Sequence, residues 1–153
     1  MKKSFYLLLL GSLIALGACQ SVKVNSDSIN QSSFVGERIL WPDKISPHLN
    51  TLTVNIVFPN NYKILDETSP AIKLMTAEGK VIEDRVMEKL PFTFTLNKPI
   101  TSAQLLAYIS IYYCRDDEVG MCLKKNVLVE FNIDKHSVIH TLNINYPVKE
   151  VAD

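Results

Sequence analysis

The stretch Leu105-Leu106-Ala107-Tyr108-Ile109-Ser110-Ile111-Tyr112-Tyr113 decides the fold of this chain. It is apolar at odd and at even positions alike. A strand with one face in water alternates polar and apolar residues, whereas a strand that is apolar on both parities is expected to be buried on both sides. We therefore interpret residues 105–113 as the central strand of a sheet.

Shorter segments around this strand alternate, as strands with one buried face do. The segment Leu52-Thr53-Val54-Asn55-Ile56-Val57-Phe58 alternates until Pro59-Asn60-Asn61 ends it. Because successive side chains of a strand point to opposite faces, each apolar stripe should face inward. The stripes are Leu52, Val54, Ile56 and Phe58; Ile72 and Leu74; Phe92, Phe94 and Leu96; Val127, Val129, Phe131 and Ile133; and Val138, His140, Leu142, Ile144 and Tyr146.

About seven short strands separated by turn residues predict an all-β fold, an antiparallel immunoglobulin-like β-sandwich. The segment Val81 to Leu90 fits a helix, and it also fits a strand followed by a loop. The chain length suits one domain. We expect that domain to span residues 34–148 and to be followed by a short tail, residues 149–153.

The N-terminus has the features of an export signal. Lys2 and Lys3 precede an apolar run, residues 5–16, which has the length of a signal-peptide core and is short for a membrane span. The run ends in Leu16-Gly17-Ala18-Cys19, which resembles the bacterial lipobox. That resemblance implies cleavage after residue 18 and acylation of Cys19. An ordinary secretory signal with a chance cysteine is the alternative.

The lipobox resemblance also implies a location in the bacterial cell envelope. Acyl chains on Cys19 would bind the lipid bilayer, and each buried methylene contributes about 0.8 kcal/mol to that anchoring. Gln20, which is not Asp, implies transfer to the outer membrane in a Gram-negative host. Residues 19–33 are rich in Ser, Asn and Gln and are interpreted as a flexible tether between the lipid and the domain.

The charge balance excludes some partners. The chain has 16 Lys and Arg against 16 Asp and Glu. Loss of residues 1–18 would remove Lys2 and Lys3 and no acidic residue, so the mature chain would be slightly acidic. General nucleic-acid binders are usually basic, so we expect no nucleic-acid partner. Attachment to the bilayer should come from the acyl chains alone.

Cys114 and Cys122 flank a polar loop that contains Gly120, between two predicted strands. Export would place both cysteines in an oxidising compartment, and a hairpin brings its strand ends within disulfide range. One interpretation is a structural disulfide. The other is a dithiol that exchanges electrons with a thioredoxin-like partner, and free thiols or metal ligation are further alternatives. Arg115 favours a thiolate, whereas the acidic triplet Asp116-Asp117-Glu118 opposes one.

Residues 50–147 resemble a known domain type. The motifs are Pro59-x-x-Tyr62-Lys63, Ser69-Pro70, Tyr112-Tyr113-Cys114, Cys122-Leu123 and Leu142-x-Ile144-x-Tyr146. They look like the C-terminal β-sandwich domain of NHL-repeat proteins that carry a thioredoxin-like domain. The chain is more weakly similar to the immunoglobulin-like N-terminal domain of the periplasmic disulfide reductant carrier DsbD, which would imply a redox pair. The spacing of the cysteines is longer here, and no Tyr-Pro-Pro follows Cys122.

The remaining polar residues suggest no catalytic or metal site. The histidines are scattered, and the acidic triplet lacks the ligand spacing of an EF-hand loop. The serines lie in no Gly-x-Ser-x-Gly context, so a hydrolase nucleophile has no support. We expect Trp41 to be a core or rim aromatic and the tyrosine cluster to be core. The residues considered are His48, His136 and His140; Ser32, Ser33 and Ser69; and Tyr108, Tyr112 and Tyr113.

Two functions remain open at this point. The first is a membrane-anchored lipoprotein without catalytic activity that binds an envelope protein or component through loops or a sheet edge. The second is an accessory for thiol–disulfide exchange through Cys114 and Cys122. We predict the first, with no cofactor and no metal.

Overall fold

The structure is a computed structural model that describes residues 34–64, 69–115 and 121–149. These residues form nine strands and no helix. None of them therefore forms a helix that could cross a membrane. The strands are β1 (Glu37–Leu40), β2 (Thr51–Val57), β3 (Tyr62–Lys63), β4 (Ala71–Thr76), β5 (Val81–Val86), β6 (Phe92–Thr95), β7 (Gln104–Arg115), β8 (Cys122–Asn132) and β9 (Thr141–Pro147).

The strands form two sheets. The large sheet has six strands in the order β1-β8-β7-β4-β5, with β3 paired to the end of β7. The small sheet has three strands in the order β6-β2-β9. The all-β sandwich class is confirmed, but two details differ from the prediction. The described residues form nine strands, against about seven predicted, and β1–β8 and β2–β9 are parallel pairs among otherwise antiparallel strand pairs.

Strand β7 is the central strand of the large sheet, as residues 105–113 predicted. It pairs with β8 along its whole length and with β4 from Leu105 to Ser110. Its odd-numbered residues, from Leu105 to Tyr113, are all buried. The prediction that β7 is buried on both faces is only partly correct. On its outer face Leu106 is buried, whereas Tyr112 is 38% exposed. Among the described residues, the outer face of β7 is therefore covered only in parts.

Phe34 provides part of that cover. Its ring packs edge-on against Tyr108, with centroids 5.2 Å apart, over the small cluster of Met75, Leu106 and Leu128. The chain then passes close to Asn126 of β8 at Gly36 and becomes strand β1.

The main core lies between the two sheets, and most predicted stripes face it. Leu52, Val54 and Ile56 of β2 are buried, as are both residues of the β4 stripe. Phe58 is half-buried beyond the end of β2 and packs against the same core. The confirmed inward positions also include Phe92, Phe94, Leu96, Val127, Val129, Phe131, Leu142, Ile144 and Tyr146.

The structure corrects one sequence prediction at the start of β9 and decides between two alternatives for the segment from Val81. Val138 and His140 lie outside β9, and Val138 is 84% exposed, because the chain turns after Asp134 and β9 begins only at Thr141. The segment from Val81 forms strand β5 up to Val86 and then a loop, so its helical alternative is wrong. Antiparallel pairing with β4 satisfies the backbone groups on one side of β5.

Candidate functional site

Strands β7 and β8 extend past the rest of the large sheet as a hairpin arm, which we define as residues 111–115 and 121–126. Pairing between β4 and β7 ends at Ser110, and pairing between β1 and β8 covers only Val127 to Glu130. Strand β3 flanks the far end of the arm, where Tyr62 is opposite Arg115 and Lys63 is opposite Cys114.

Cys114 and Cys122 are directly opposite each other near the end of the arm. Their Cα atoms are 4.0 Å apart and their sulfurs form a disulfide. The Arg115 amide donates a hydrogen bond to the Met121 carbonyl. That pair is therefore the hydrogen-bonded one, and the cysteines occupy the adjacent non-hydrogen-bonded position, where opposite side chains approach most closely.

The two cysteines differ in exposure. Cys114 is 4% exposed, because β3 flanks it on one side and β8 on the other. Cys122 is exposed, since no strand in the described part of the chain pairs with the other side of β8 at this position. Cys122 is therefore the more exposed of the two disulfide-bonded residues.

Aromatic side chains support the inner side of the arm. The Tyr113 ring is buried against Phe58 and Tyr62, with centroid distances of 5.8 Å and 5.5 Å. Burial raises the pKa of the Tyr113 hydroxyl. The predicted tyrosine cluster is thus divided, because Tyr113 is core while Tyr108 and Tyr112 lie on the outer face.

The outer side of the arm carries a lysine beside a tyrosine. The Lys124 ammonium lies 5.2 Å from the centre of the Tyr112 ring, a cation–π contact at an exposed position. Tyr112 and Lys124 lie on the same face of the arm as the Cys114–Cys122 pair, which is two residues further along each strand.

Where the sandwich ends beside the arm, a polar trio joins the two sheets. The Lys125 ammonium lies 2.8 Å from the Glu37 carboxylate, and the Tyr146 hydroxyl donates to the same carboxylate at 2.8 Å. The hydrogen bond from Lys125 lowers the pKa of Glu37. Burial opposes the charged form of Lys125, but its hydrogen bonds with Glu37 and Tyr146 raise its pKa overall.

Sequence reasoning missed this trio, although one signal was present. Lys125 has the same parity as the β8 stripe at Val127 and Val129, so a charge stands where an inward residue is expected. A charge on an inward face needs a partner. Its partners, Glu37 and Tyr146, come from strands that the sequence does not place beside it.

The remaining residues that the sequence analysis considered include three histidines and Trp41. His48, His136 and His140 are exposed, and a His140 ring nitrogen lies 3.1 Å from the His48 carbonyl oxygen. In the described residues no three His, Cys, Asp or Glu side chains are placed to hold a metal ion. Trp41 is half-buried against Phe131, as expected for a rim aromatic.

Several predictions concern residues outside the described part of the chain. These are the signal at residues 1–18, the lipidation site Cys19, the tether at 19–33 with Ser32 and Ser33, and the acidic triplet Asp116-Asp117-Glu118. Ser69 is described and lies in the loop before β4.

No model of a known protein family matches this chain, and no curated protein matches it either. The resemblance to the NHL-repeat tail domain and to DsbD therefore stays a prediction.

Proposed function

We propose that this protein is a lipid-anchored module of the bacterial cell envelope that binds a protein or envelope component without catalysing a reaction. The observation that carries the proposal is the sequence Leu16-Gly17-Ala18-Cys19 after a short apolar run. Gln20 favours the outer membrane, with the domain facing the periplasm.

The packing at the start of the domain supports a tethered arrangement. Phe34 is fixed on the outer face of the large sheet by Tyr108 and by the Arg38 guanidinium, which lies 5.6 Å from the centre of the Phe34 ring. A tether of residues 19–33 would therefore join the domain at a defined point on that face. A flexible chain of this length has a root-mean-square span of roughly 20 Å, which keeps the domain close to the bilayer.

Binding through a sheet edge is the simplest role for such a sandwich. Strand β9 pairs with β2 on one side, and no described strand pairs with its other side. Thr141, Asn143 and Asn145 of this edge are exposed. An edge of this length can accept an extended segment of a partner through main-chain hydrogen bonds.

Replacement of the anchor cysteine tests the proposal. Cys19→Ser should abolish incorporation of radiolabelled palmitate and move the protein from the membrane fraction to the soluble fraction. The matched control replaces Cys114 and Cys122 by Ser, which removes the disulfide and leaves Cys19, and it should label like the wild type. A wild type that takes up no label, with a Cys19→Ser variant that still sediments with membranes, would overturn the proposal.

Thiol–disulfide exchange is the second candidate, and the unequal exposure of the two cysteines favours it. In such a reaction a partner thiolate attacks the Cys122 sulfur, the Cys114–Cys122 bond breaks, and Cys114 leaves as a thiolate. A second partner thiol then attacks the mixed disulfide. The partner dithiol is oxidised by two electrons, and the Cys114–Cys122 pair is reduced to a dithiol.

Trapping experiments separate the two functions. A Cys114→Ala variant retains the exposed Cys122 and should trap a periplasmic thioredoxin-like protein if exchange occurs, whereas Cys122→Ala should trap it poorly. For a structural disulfide neither variant traps a partner, and the reduction potential lies below about −300 mV. A high yield of mixed disulfide through Cys122 would replace the binding proposal by the redox one.

A further inference from the structure

A cleft opens between the sheets at the side opposite to β1, in a part of the molecule that neither proposed function uses. Its volume is about 390 Å³. One wall is the β4–β5 turn with the start of β5, and the other is the connection between β6 and β7. The floor is apolar, with Ile82 half-buried and Ile100 buried, and Val81 and Pro99 extend the apolar lining outward.

The walls of the cleft are held in place by hydrogen bonds. In the β4–β5 turn the Gly79 amide donates to the Thr76 carbonyl at 2.9 Å, and the Thr76 amide donates to the Lys80 carbonyl at 2.9 Å. Gly79 has φ +85°, a left-handed conformation that glycine adopts without strain. The Ser102 hydroxyl donates to the Glu78 carboxylate across the two walls at 3.1 Å. The cleft is therefore preformed.

Two lysines, Lys80 and Lys98, line the mouth of the cleft, and both are exposed.

The acidic residues of the adjacent turn and strand have other partners. Glu78 accepts from Ser102, and hydrogen bonds from Thr76, its own backbone and Ser102 hold its pKa below the usual range. Glu83 pairs with Arg85 at 3.0 Å, and Asp84 pairs with Lys73 at 3.1 Å. The described residues thus offer the two lysines no ion-pair partner.

We propose that this cleft binds a medium-chain fatty carboxylate, with its aliphatic chain against the apolar floor and its carboxylate between Lys80 and Lys98. The apolar floor favours an aliphatic body, and the two exposed ammonium groups at the mouth favour an anionic head. Lysine attracts an anion as a point charge, and a carboxylate at the end of an aliphatic chain provides that anion. The inference is independent of the Cys19 anchor and of the Cys114–Cys122 pair.

Photo-crosslinking of the full chain in bacterial membranes tests the proposal. The probe is decanoate with a diazirine near the end of its chain, and mass spectrometry locates the crosslink. We expect labelled peptides that contain Val81–Ile82 or Pro99–Thr101, and competition by excess unlabelled decanoate. A decanol probe with the same diazirine should label these peptides much less, because it lacks the charge.

Variants separate a specific site from general partition into lipid. Lys80→Gln together with Lys98→Gln should lower labelling at the cleft about tenfold, as expected for the loss of two exposed charge contacts. Lys124→Gln, an exposed lysine on the hairpin arm, should label like the wild type. Circular dichroism of each variant confirms folding, and Val81→Ser provides a second test through an exposed apolar residue.

Three outcomes would overturn the proposal. The first is labelling spread over the surface with no preference for the two cleft peptides. The second is equal labelling by the decanol probe. The third is unchanged cleft labelling in a folded Lys80→Gln, Lys98→Gln variant.

Discussion

Ile56 and Val57 are neighbours on β2 with opposite environments. Ile56 is 4% exposed and faces the core, whereas Val57 is 50% exposed. Truncation of a buried isoleucine removes apolar contacts and leaves a cavity, so Ile56→Ala should lower the free energy of unfolding by about 2–5 kcal/mol. Urea titration measures this change. Val57→Ala is the matched control and should change the midpoint little, and equal effects of both variants would contradict the register of β2.

At Gly36 the addition of a single Cβ atom would disturb the packing. The backbone there passes so close to β8 that an added Cβ would meet the Asn126 carbonyl oxygen and the Phe34 ring. Gly36→Ala should therefore displace Phe34 from the outer face and destabilise the β1–β8 pairing. The loss of the Phe34–Tyr108 contact should appear in NMR spectra as changed Tyr108 ring shifts, and ring shifts identical to the wild type would contradict the expectation.

The hairpin arm is an element that depends on its own cross-link. Residues 111–115 of the arm have no pairing with β4, and residues 121–126 have none with β1. The arm therefore has fewer neighbouring strands than the rest of β7 and β8. A disulfide across a loop of this length restricts the unfolded chain and contributes about 2.5 kcal/mol in the chain-entropy description.

Removal of both cysteines tests that contribution. Cys114→Ala with Cys122→Ala should lower the free energy of unfolding by about 2–3 kcal/mol. Reductant should destabilise the wild type by a similar amount and leave the double variant unchanged, and urea titrations with and without reductant measure both effects. A double variant as stable as the oxidised wild type would show that the disulfide is not structural.

Strand β5 shows how a free edge of the large sheet is protected. No described strand pairs with its outer side, and it carries Glu83, Asp84 and Arg85 in succession. Charged side chains at an edge disfavour pairing with another chain, because the charges would lose water on association. The β9 edge has uncharged asparagines at Asn143 and Asn145, and it is therefore the edge better suited to accept a partner.

At the scale of the whole molecule, Glu37, Lys125 and Tyr146 connect the two sheets through one carboxylate. The pKa of Glu37 is lower in the folded state, so the folded protein binds fewer protons than the unfolded chain in the acidic range. Its contribution to stability is present above the unfolded pKa of about 4.3 and is lost as the pH falls through the folded pKa.

A pH series of urea titrations measures this linkage. Glu37→Gln should be less stable than the wild type at pH 7, and the difference should shrink as the pH falls below about 4. Glu88→Gln, at an exposed carboxylate in the β5–β6 loop, is the control and should leave the acid limb unchanged. A Glu37→Gln difference that stays constant from pH 7 to pH 3 would contradict the proposed role of the ionised carboxylate.

Much of the strand content was predictable because alternation is a local property. The stripes of β2, β4, β6 and β8 each lie within about ten residues, and burial of one face is enough to specify them. Prediction was weaker where the pattern stops, as at Val138, which shares the parity of β9 but lies in the turn before it. Parity alone does not indicate where a strand begins.

The sequence by itself determined the all-β class, the inward stripes and the candidate pairing of Cys114 with Cys122, since these depend on short-range alternation and on one hairpin. Only the tertiary structure decided the parallel β1–β8 and β2–β9 pairs, the exposure of Cys122 and the partners of Lys125. Each of these depends on contacts between distant segments, such as Glu37 and Tyr146, which are 109 residues apart. The physical reason is that the alternation of apolar residues specifies which face of a strand is buried. The residues that cover that face are specified by the packing of segments distant in the chain.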